Sequence, residues 1–422
     1  MLAGLHDTRG RREDFYRDLH AHPELSGQEA RTSAVCAERL DEWGFEVQRL
    51  GGGVVGVLSN GEGSTVLCRA DMDALPVREL TGLPYASTAT ATDEAGATVA
   101  VSHACGHDVH VTCLLGAAEL LADRRDQWGG TFVALFQPAE ETASGARAML
   151  DAGLEQRIPR PDVAFAQHVL GLEAGTIGTT IGPVMSAGDS IRITVFGRGS
   201  HGSMPHLSVD PVVLAASIVI RLQTVVAREL ERGVFAVVTV GSSVAGAKSN
   251  VIPDRAVLLL NVRTYDGEVR RQVLGAIERI VRAECDAARS PQSPTFEYYD
   301  QYPLTSNDGE VGARVRSAFE QHFPDRLVEL GRVTASEDFG LIPDAFGTPY
   351  FYWGVGGFAA GVTAPPNHSP YFAPRIQPTL DTGTSALVVA ALAYLGDGLD
   401  SAAPSVDPLG SSTGSQQRHQ PR

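Results

Sequence analysis

Cysteine is scarce in this chain. The five present (Cys36, Cys68, Cys105, Cys113 and Cys285) are odd in number and widely spaced, which argues against a disulfide framework and fits a reducing compartment. Positive charge is also short: Lys+Arg 34 against Asp+Glu 50 gives a formal net charge of -16, with no Lys/Arg cluster to track a phosphate backbone. Nucleic acid is not expected as a partner. Long apolar runs are missing too. The longest, 211–220 and 386–395, reach about half of the ~20 residues that a membrane span needs. Scattered charges and no apolar core mark Met1 to His20, so no secretory signal is expected. These shortages together predict a cytoplasmic protein without a membrane partner.

At 422 residues with 43% hydrophobic content, the chain exceeds the size at which one core keeps growing, so two domains are expected. No internal repeat stands out. Residues 8–43 read as helix interrupted near His22-Pro23 and stopped at Gly44. Two β-branched runs, 54–58 and 65–69, flank Asn60-Gly61-Glu62-Gly63, a hairpin signal. The second runs into Asp71 and Asp73 before Pro76, and acids at a strand's end are where α/β folds keep function.

The seven residues Ser102-His103-Ala104-Cys105-Gly106-His107-Asp108 hold a thiol, two imidazoles and a carboxylate. In a loop, a Cys and a His separated by one glycine can turn both side chains onto one centre, which suggests a metal site. Val111, Leu114, Leu115, Ala118 and Leu121 then form one helical face. Cys105 and His107 are thus placed just ahead of a helix N-terminus, whose dipole favours thiolate. An apolar strand over 131–136 meets Pro138, which breaks it and lets Glu140 and Glu141 converge on one site. Another strand over 162–167 ends in His168.

From Ser190 onward the order is strand, helix, strand, strand, helix, strand, a ferredoxin-like unit inserted between two halves of the first domain. The expected division is 1–185 and 296–400 for a catalytic domain, 186–295 for an inserted lid and dimerisation domain, and 401–422 for a disordered tail. After the insertion come a helix near 311–322, Ser336 as an N-cap, an aromatic strand over 350–353 and a final helix near 383–395.

The candidates at strand ends and loops are Asp71, Asp73, Cys105, His107, Glu140, Glu141, His168 and His368, all of metal-ligand type. Each alone has a bland reading: a capped or surface histidine, a turn aspartate. Their surroundings read LHAHPELS at 19–26, RADMDALP at 69–76, HACGHD at 103–108, QPAEE at 137–141, SHGSMPH at 200–206, SNVIPD at 249–254, SEDF at 336–339 and HSP at 368–370. Taken in this order, up to about residue 395, the chain resembles the M20 metallopeptidase family. It is most similar to the amidohydrolase branch, with its hippurate hydrolases, N-acyl-amino-acid amidohydrolases and auxin-conjugate hydrolases.

That resemblance implies an α/β, di-metal aminopeptidase-like catalytic domain with an inserted ferredoxin-like α+β lid. It implies two divalent ions per subunit, bridged by Cys105 and completed by His107, Glu141, His168 and His368. Thiolate plus imidazole favours zinc, while manganese, cobalt and nickel are admitted. Glu140 is then the general base, His201 assists the oxyanion, often from a partner subunit of a homodimer, and Asn250 and Arg263 hold the substrate carboxylate. Arg263 also reads as a surface residue paired with Asp266. Asp73, and with it Asp108, is assigned to orienting a ligand imidazole; the remaining histidines of the motifs (His20, His22, His103, His110, His206) are read as structural. Relatives carry a glycine run after Glu141, so Ala143 and Ser144 are expected to narrow the pocket. The implied reaction is hydrolysis of the amide of a small N-acyl amino acid. Dipeptide hydrolysis, an inactive binding relative, and a Cys105 nucleophile paired with His107 are the competing readings, the last disfavoured because such pairs come from distant segments.

Overall fold

The computed structural model describes residues 1–396. The predicted tail at 401–422, and the last residues assigned to the catalytic half, lie outside these. Gly51 and Gly52 both take positive φ, 57° and 87°, the two-residue turn geometry whose twist matches flanking strands. Around them Glu46–Leu50 pairs antiparallel with Gly53–Asn60.

The hairpin expected between 54–58 and 65–69 does not form. Strand Gly130–Gln137 inserts there, antiparallel to Gly53–Asn60 and parallel to Thr65–Asp71. The link at 61–64 therefore arches over the start of a third strand. Glycine permits the approach: a Cβ on Gly130 would stand 2.4 Å from the Ser64 carbonyl oxygen.

The resulting eight-stranded sheet runs Glu46–Leu50, Gly53–Asn60, Gly130–Gln137, Thr65–Asp71, Val163–Glu173, Tyr350–Phe358, Ile177–Thr179, Leu327–Glu329. Thr65–Asp71 is parallel to both Gly130–Gln137 and Val163–Glu173, so Asp71, Gln137 and His168 reach the same edge. Carboxyl ends of parallel strands are where open α/β sheets hold ligands. The strand predicted to stop at His168 instead continues to Glu173 beside Tyr350–Phe358.

Helix His107–Asp123 is buried on nearly every face, not only on the predicted one. It is packed between the sheet and helices Leu5–Ala21 and Thr379–Leu395. On the opposite face of the sheet, Ala146, Met149, Ile342 and Phe346 close a second core. Ser336 is not an N-cap: the next helix, Leu341–Phe346, starts after Gly340.

Between these halves, Ala187–Phe196, Ala236–Ala245, Arg255–Thr264 and Thr295–Tyr302 form a separate antiparallel sheet. Its order is Ala236–Ala245, Arg255–Thr264, Ala187–Phe196, Thr295–Tyr302, the ferredoxin-like arrangement. Helices Pro211–Thr224 and Gly267–Ala287 are capped by Asp210 and Asp266 side chains and pack on the strands through residues such as Leu214, Ile218, Ile277 and Val281. The first continues as a wider turn to Glu229, and the stretch Pro211–Glu229 is long and apolar enough by length and composition to cross a membrane. Here its inner face, Leu214, Ala215, Ile218, Leu222 and Val225, is core to the inserted unit.

Candidate metal centre

Gly106, at φ 83°, turns the chain from Cys105 into the helix that His107 opens. His107 is therefore the first helical residue, and only Cys105 precedes the helix. The His107 Nδ1 lies 3.1 Å from Asp73 Oδ1 and donates to it; burial opposes charge on the ring, but Asp71 and Asp73 outweigh it and raise the pKa well above its ordinary value, so Nε2 gains a lone pair when a cation displaces its proton. Among the described residues that nitrogen is buried without a hydrogen-bond partner, as is Glu141 Oε1, 3.8 Å away. In His168, Nδ1 donates to the Val169 carbonyl at 2.8 Å, so Nε2, 3.4 Å from Cys105 Sγ, carries a lone pair. His368, at φ 65°, is anchored by its N–H on the Ala104 carbonyl at 2.8 Å. Its Nε2 stands 3.3 Å from Glu141 Oε1.

Among the described residues five ligand-type groups have donor atoms within 4.8 Å of one another, and two of them, Cys105/His107/His168 and Cys105/Glu141/His368, meet at the cavity. These two share Cys105. The Cys105 sulfur, three imidazoles and the Glu141 carboxylate make a donor set that fits a pair of divalent cations. The lowering of the Cys105 thiol expected from the helix dipole is not found: burial, followed by the Glu141 charge, raises it. A thiolate at this position needs a cation against it. Burial, with the neighbouring imidazoles, holds His168 well below its ordinary value and thus neutral.

His110 belongs to a further ligand-type group with Asp71 and His107, but its contacts fit the structural role expected of it. Its Nδ1 bonds Asp71 and its Nε2 accepts the Val169 N–H at 2.9 Å, so both nitrogens are used. Asp73 accepts from His107, from the Ser26 hydroxyl and from the Glu141 N–H. Asp108 orients no ligand imidazole; its Oδ2 lies 2.6 Å from His20, whose other nitrogen meets Glu79 at 3.1 Å.

The strand ends at Pro138, and Ala139 takes φ 47° before the two glutamates. Behind Glu140 lies buried Arg69, 2.7 Å from Asp71, 2.8 Å from Glu337 and 3.1 Å from Asp338. One guanidinium thus faces three carboxylates. Burial, then the charges of Glu337, Glu141 and Asp338, raise the Glu140 carboxyl well above its ordinary value, and Asp338 is pushed up to about 7, chiefly by burial. A carboxylate so placed is a stronger base than one in water.

Glu140, Glu141, Cys105, His168 and His368 line one cavity, which Arg263 and Tyr302 enter from the inserted unit. Arg263 does not pair with Asp266, which caps its own helix. It donates to Asn261 Oδ1 at 2.9 Å and to the Ser336 hydroxyl. The Tyr302 hydroxyl donates to the Glu141 carbonyl at 3.1 Å. Leu170, Met185 and Val333 supply an apolar wall. Ser144 lines a different cleft with Gly51 and Gly52, and neither it nor Ala143 lines this cavity, so the expected narrowing is not seen. His201 and Asn250 do not reach the cavity of their own chain. Both are exposed, side by side, with the Gly202 N–H on the Asn250 carbonyl at 2.8 Å and His201 Nδ1 2.7 Å from the Ser203 hydroxyl.

Sequence reasoning missed Tyr302, Ser336 as a partner of Arg263, and Arg69. The signal for Arg69 was there: a lone arginine inside a β-branched run is charged where the pattern demands burial, so carboxylates must surround it.

Peptidase family M20/M25/M40 matches residues 67–393. N-acetylcysteine deacetylase of Bacillus subtilis (strain 168) is 36% identical, over 80% of this chain and 86% of that protein. Hippurate hydrolase of Campylobacter jejuni is 35% identical, over 81% of this chain and 87% of that protein. Among solved structures, a dinuclear metal-binding peptidase of the M20 family from Bacillus subtilis aligns with a TM-score of 0.75 at 30% identity, covering 92% of this chain and 98% of that one. With its eight motifs in order and two ligand groups meeting at Cys105, the chain belongs to peptidase family M20/M25/M40.

Proposed function

We propose that this protein is a metal-dependent amidohydrolase that cleaves N-acyl amino acids to a carboxylic acid and an amino acid. The observation that carries the reading is the pair of ligand groups sharing Cys105 beside a buried Glu140 that lines the same cavity. Cys105, His107, Glu141, His168 and His368 would hold two divalent ions; thiolate and imidazole favour zinc, with manganese, cobalt or nickel admitted. Ions held there would supply Lewis-acid chemistry, polarising a carbonyl and making bound water more acidic. Glu140 takes a proton from the attacking water and passes it to the leaving amine nitrogen. Arg263, half-buried in the cavity wall, pairs with the substrate carboxylate, and Leu170, Met185 and Val333 receive an apolar group.

The unit expected at 186–295, whose sheet extends through strand Thr295–Tyr302, acts as a lid over a catalytic half made of 1–185 and the residues that follow. A homodimer through this lid supports a role for His201 and Asn250, which are exposed near Val251 and have no place in their own cavity. Five unpaired, buried cysteines are consistent with a cytoplasmic setting. The test joins metal analysis of the pure protein to a mass-spectrometric screen of N-acetyl, N-benzoyl, N-fatty-acyl and dipeptide substrates. Release of amino acid from the acylated panel is expected; turnover confined to dipeptides would replace this reading with a peptidase.

A further inference from the structure

Glu29 is 4% exposed and immediately precedes helix Ala30–Glu42, yet its side chain does not cap that helix. Glu24 takes the capping role, accepting the Arg31 and Thr32 N–H groups at 2.9 and 2.7 Å. The Glu29 carboxylate is turned elsewhere. Its Oε1 accepts the Ala139 N–H at 2.8 Å and the Gly27 N–H at 2.9 Å.

Ala139 is a buried residue at φ 47°, directly ahead of Glu140 and Glu141. An L-residue in the left-handed region persists only where its surroundings over-determine it. The Ala139 carbonyl is already taken by the Ser144 and Gly145 N–H groups at 3.2 and 3.1 Å, and Glu141 N–H by Asp73. Glu29 supplies the remaining hold. It does so from the cleft behind the turn, lined also by Gly51, Gly52 and Ser144, and not from the cavity that Glu140 and Glu141 line.

We propose that Glu29 is a positioning residue for the reaction: it fixes the backbone of Ala139 and through it aims Glu140 and Glu141 into the cavity. This rests on the reading of Glu140 as base and Glu141 as ligand. Glu29 touches neither substrate nor the ligand atoms, so its effect passes through one main-chain N–H. Burial raises its carboxyl to about 7, and Oε1 remains an acceptor whether or not the group carries a proton. The acceptor, not the charge, is what the turn uses.

The experiment compares Glu29→Ala, Glu29→Gln and Glu29→Asp in the full chain, by kcat and KM on an N-acyl amino acid and by amide hydrogen exchange across 139–141. Misplacement of about 1 Å costs roughly 100-fold, so Glu29→Ala should lose about that much kcat with little change in KM. Glu29→Gln keeps the acceptor at the same reach and should stay near wild type in kcat and exchange protection. Glu29→Asp keeps charge but draws the oxygen back by one methylene, and should fall with Ala even if Glu29→Ala does not fold. Wild-type kcat in Glu29→Asp, or a Gln variant as impaired as the Asp variant, overturns the proposal. If the wild type turns over no N-acyl amino acid, the functional reading fails, while faster exchange at 139–141 in Glu29→Asp but not Glu29→Gln still decides the positioning role.

Discussion

One aspartate binds two of the proposed ligands at once: Asp73 Oδ1 accepts the His107 Nδ1–H at 3.1 Å while its Oδ2 accepts the Glu141 N–H at 3.0 Å. The first contact fixes the tautomer that exposes Nε2, and the second fixes the backbone that carries the carboxylate. Losing such a partner typically costs about 10- to 100-fold in metal affinity. Asp73→Ala should weaken metal binding by that factor in a chelator-competition titration. Wild-type affinity would mean that the helix start alone orients His107.

Glu140 is assigned the proton and Glu141 the metal, although the two are adjacent in sequence. Glu140→Gln should lower kcat by about 10²- to 10⁴-fold, the usual worth of a general base, with metal content near wild type. Metal loss in that variant, with metal kept in Glu141→Gln, would show the two roles to be reversed.

Cys105 is the one atom common to both ligand groups. Cys105→Ser replaces a soft thiolate by a neutral hydroxyl, so metal stoichiometry by elemental analysis should drop. Mild oxidant should likewise release metal from the wild type, since a sulfenic acid no longer bridges. Unchanged stoichiometry in both experiments removes the bridge.

Local chemistry was legible in the sequence and long-range partnership was not. Pro138 after an apolar run marks a strand end wherever that strand lies in the sheet, and Gly106 between Cys105 and His107 marks a turn. Asn60-Gly61 correctly marked a reversal, but no local signal says that Gly130–Gln137 will fill the space between the two strands. Ser336 carried an N-cap signature, yet its hydroxyl serves Arg263 and the Ser186 carbonyl. The residue type was right and the partner, more than seventy positions away, was invisible. His201 and Asn250 show the same limit between chains: their motifs read as functional, but within one chain they face outward.

Arg263 is the cation that the inserted unit brings to the cavity, and burial lowers its pKa without removing its charge. A hydrogen bond to a charged group contributes about 1.5–3 kcal/mol, which corresponds to roughly 10- to 100-fold. Arg263→Ala should raise KM by that factor for an N-acyl amino acid, and should leave the corresponding amide-capped substrate unaffected. Equal losses on both substrates would mean that Arg263 holds the lid through Ser336 and does not grip the carboxylate.

Stability should carry a pH signature from His20, which is away from the ligand groups. Its ring is 1% exposed between Asp108 and Glu79. Burial opposes the charged form, but the hydrogen bonds and charges of Asp108 and Glu79 outweigh it and raise the pKa from 6.5 to about 10. The folded state therefore holds this proton more tightly than the unfolded state. The stabilisation is fully present below pH 6.5 and is lost as pH rises towards 10. Denaturant midpoints should fall across that window in the wild type, and the fall should be shallower in His20→Gln, whose amide does not titrate. Equal slopes in the two proteins would assign the alkaline loss to other groups and leave His20 neutral in the fold.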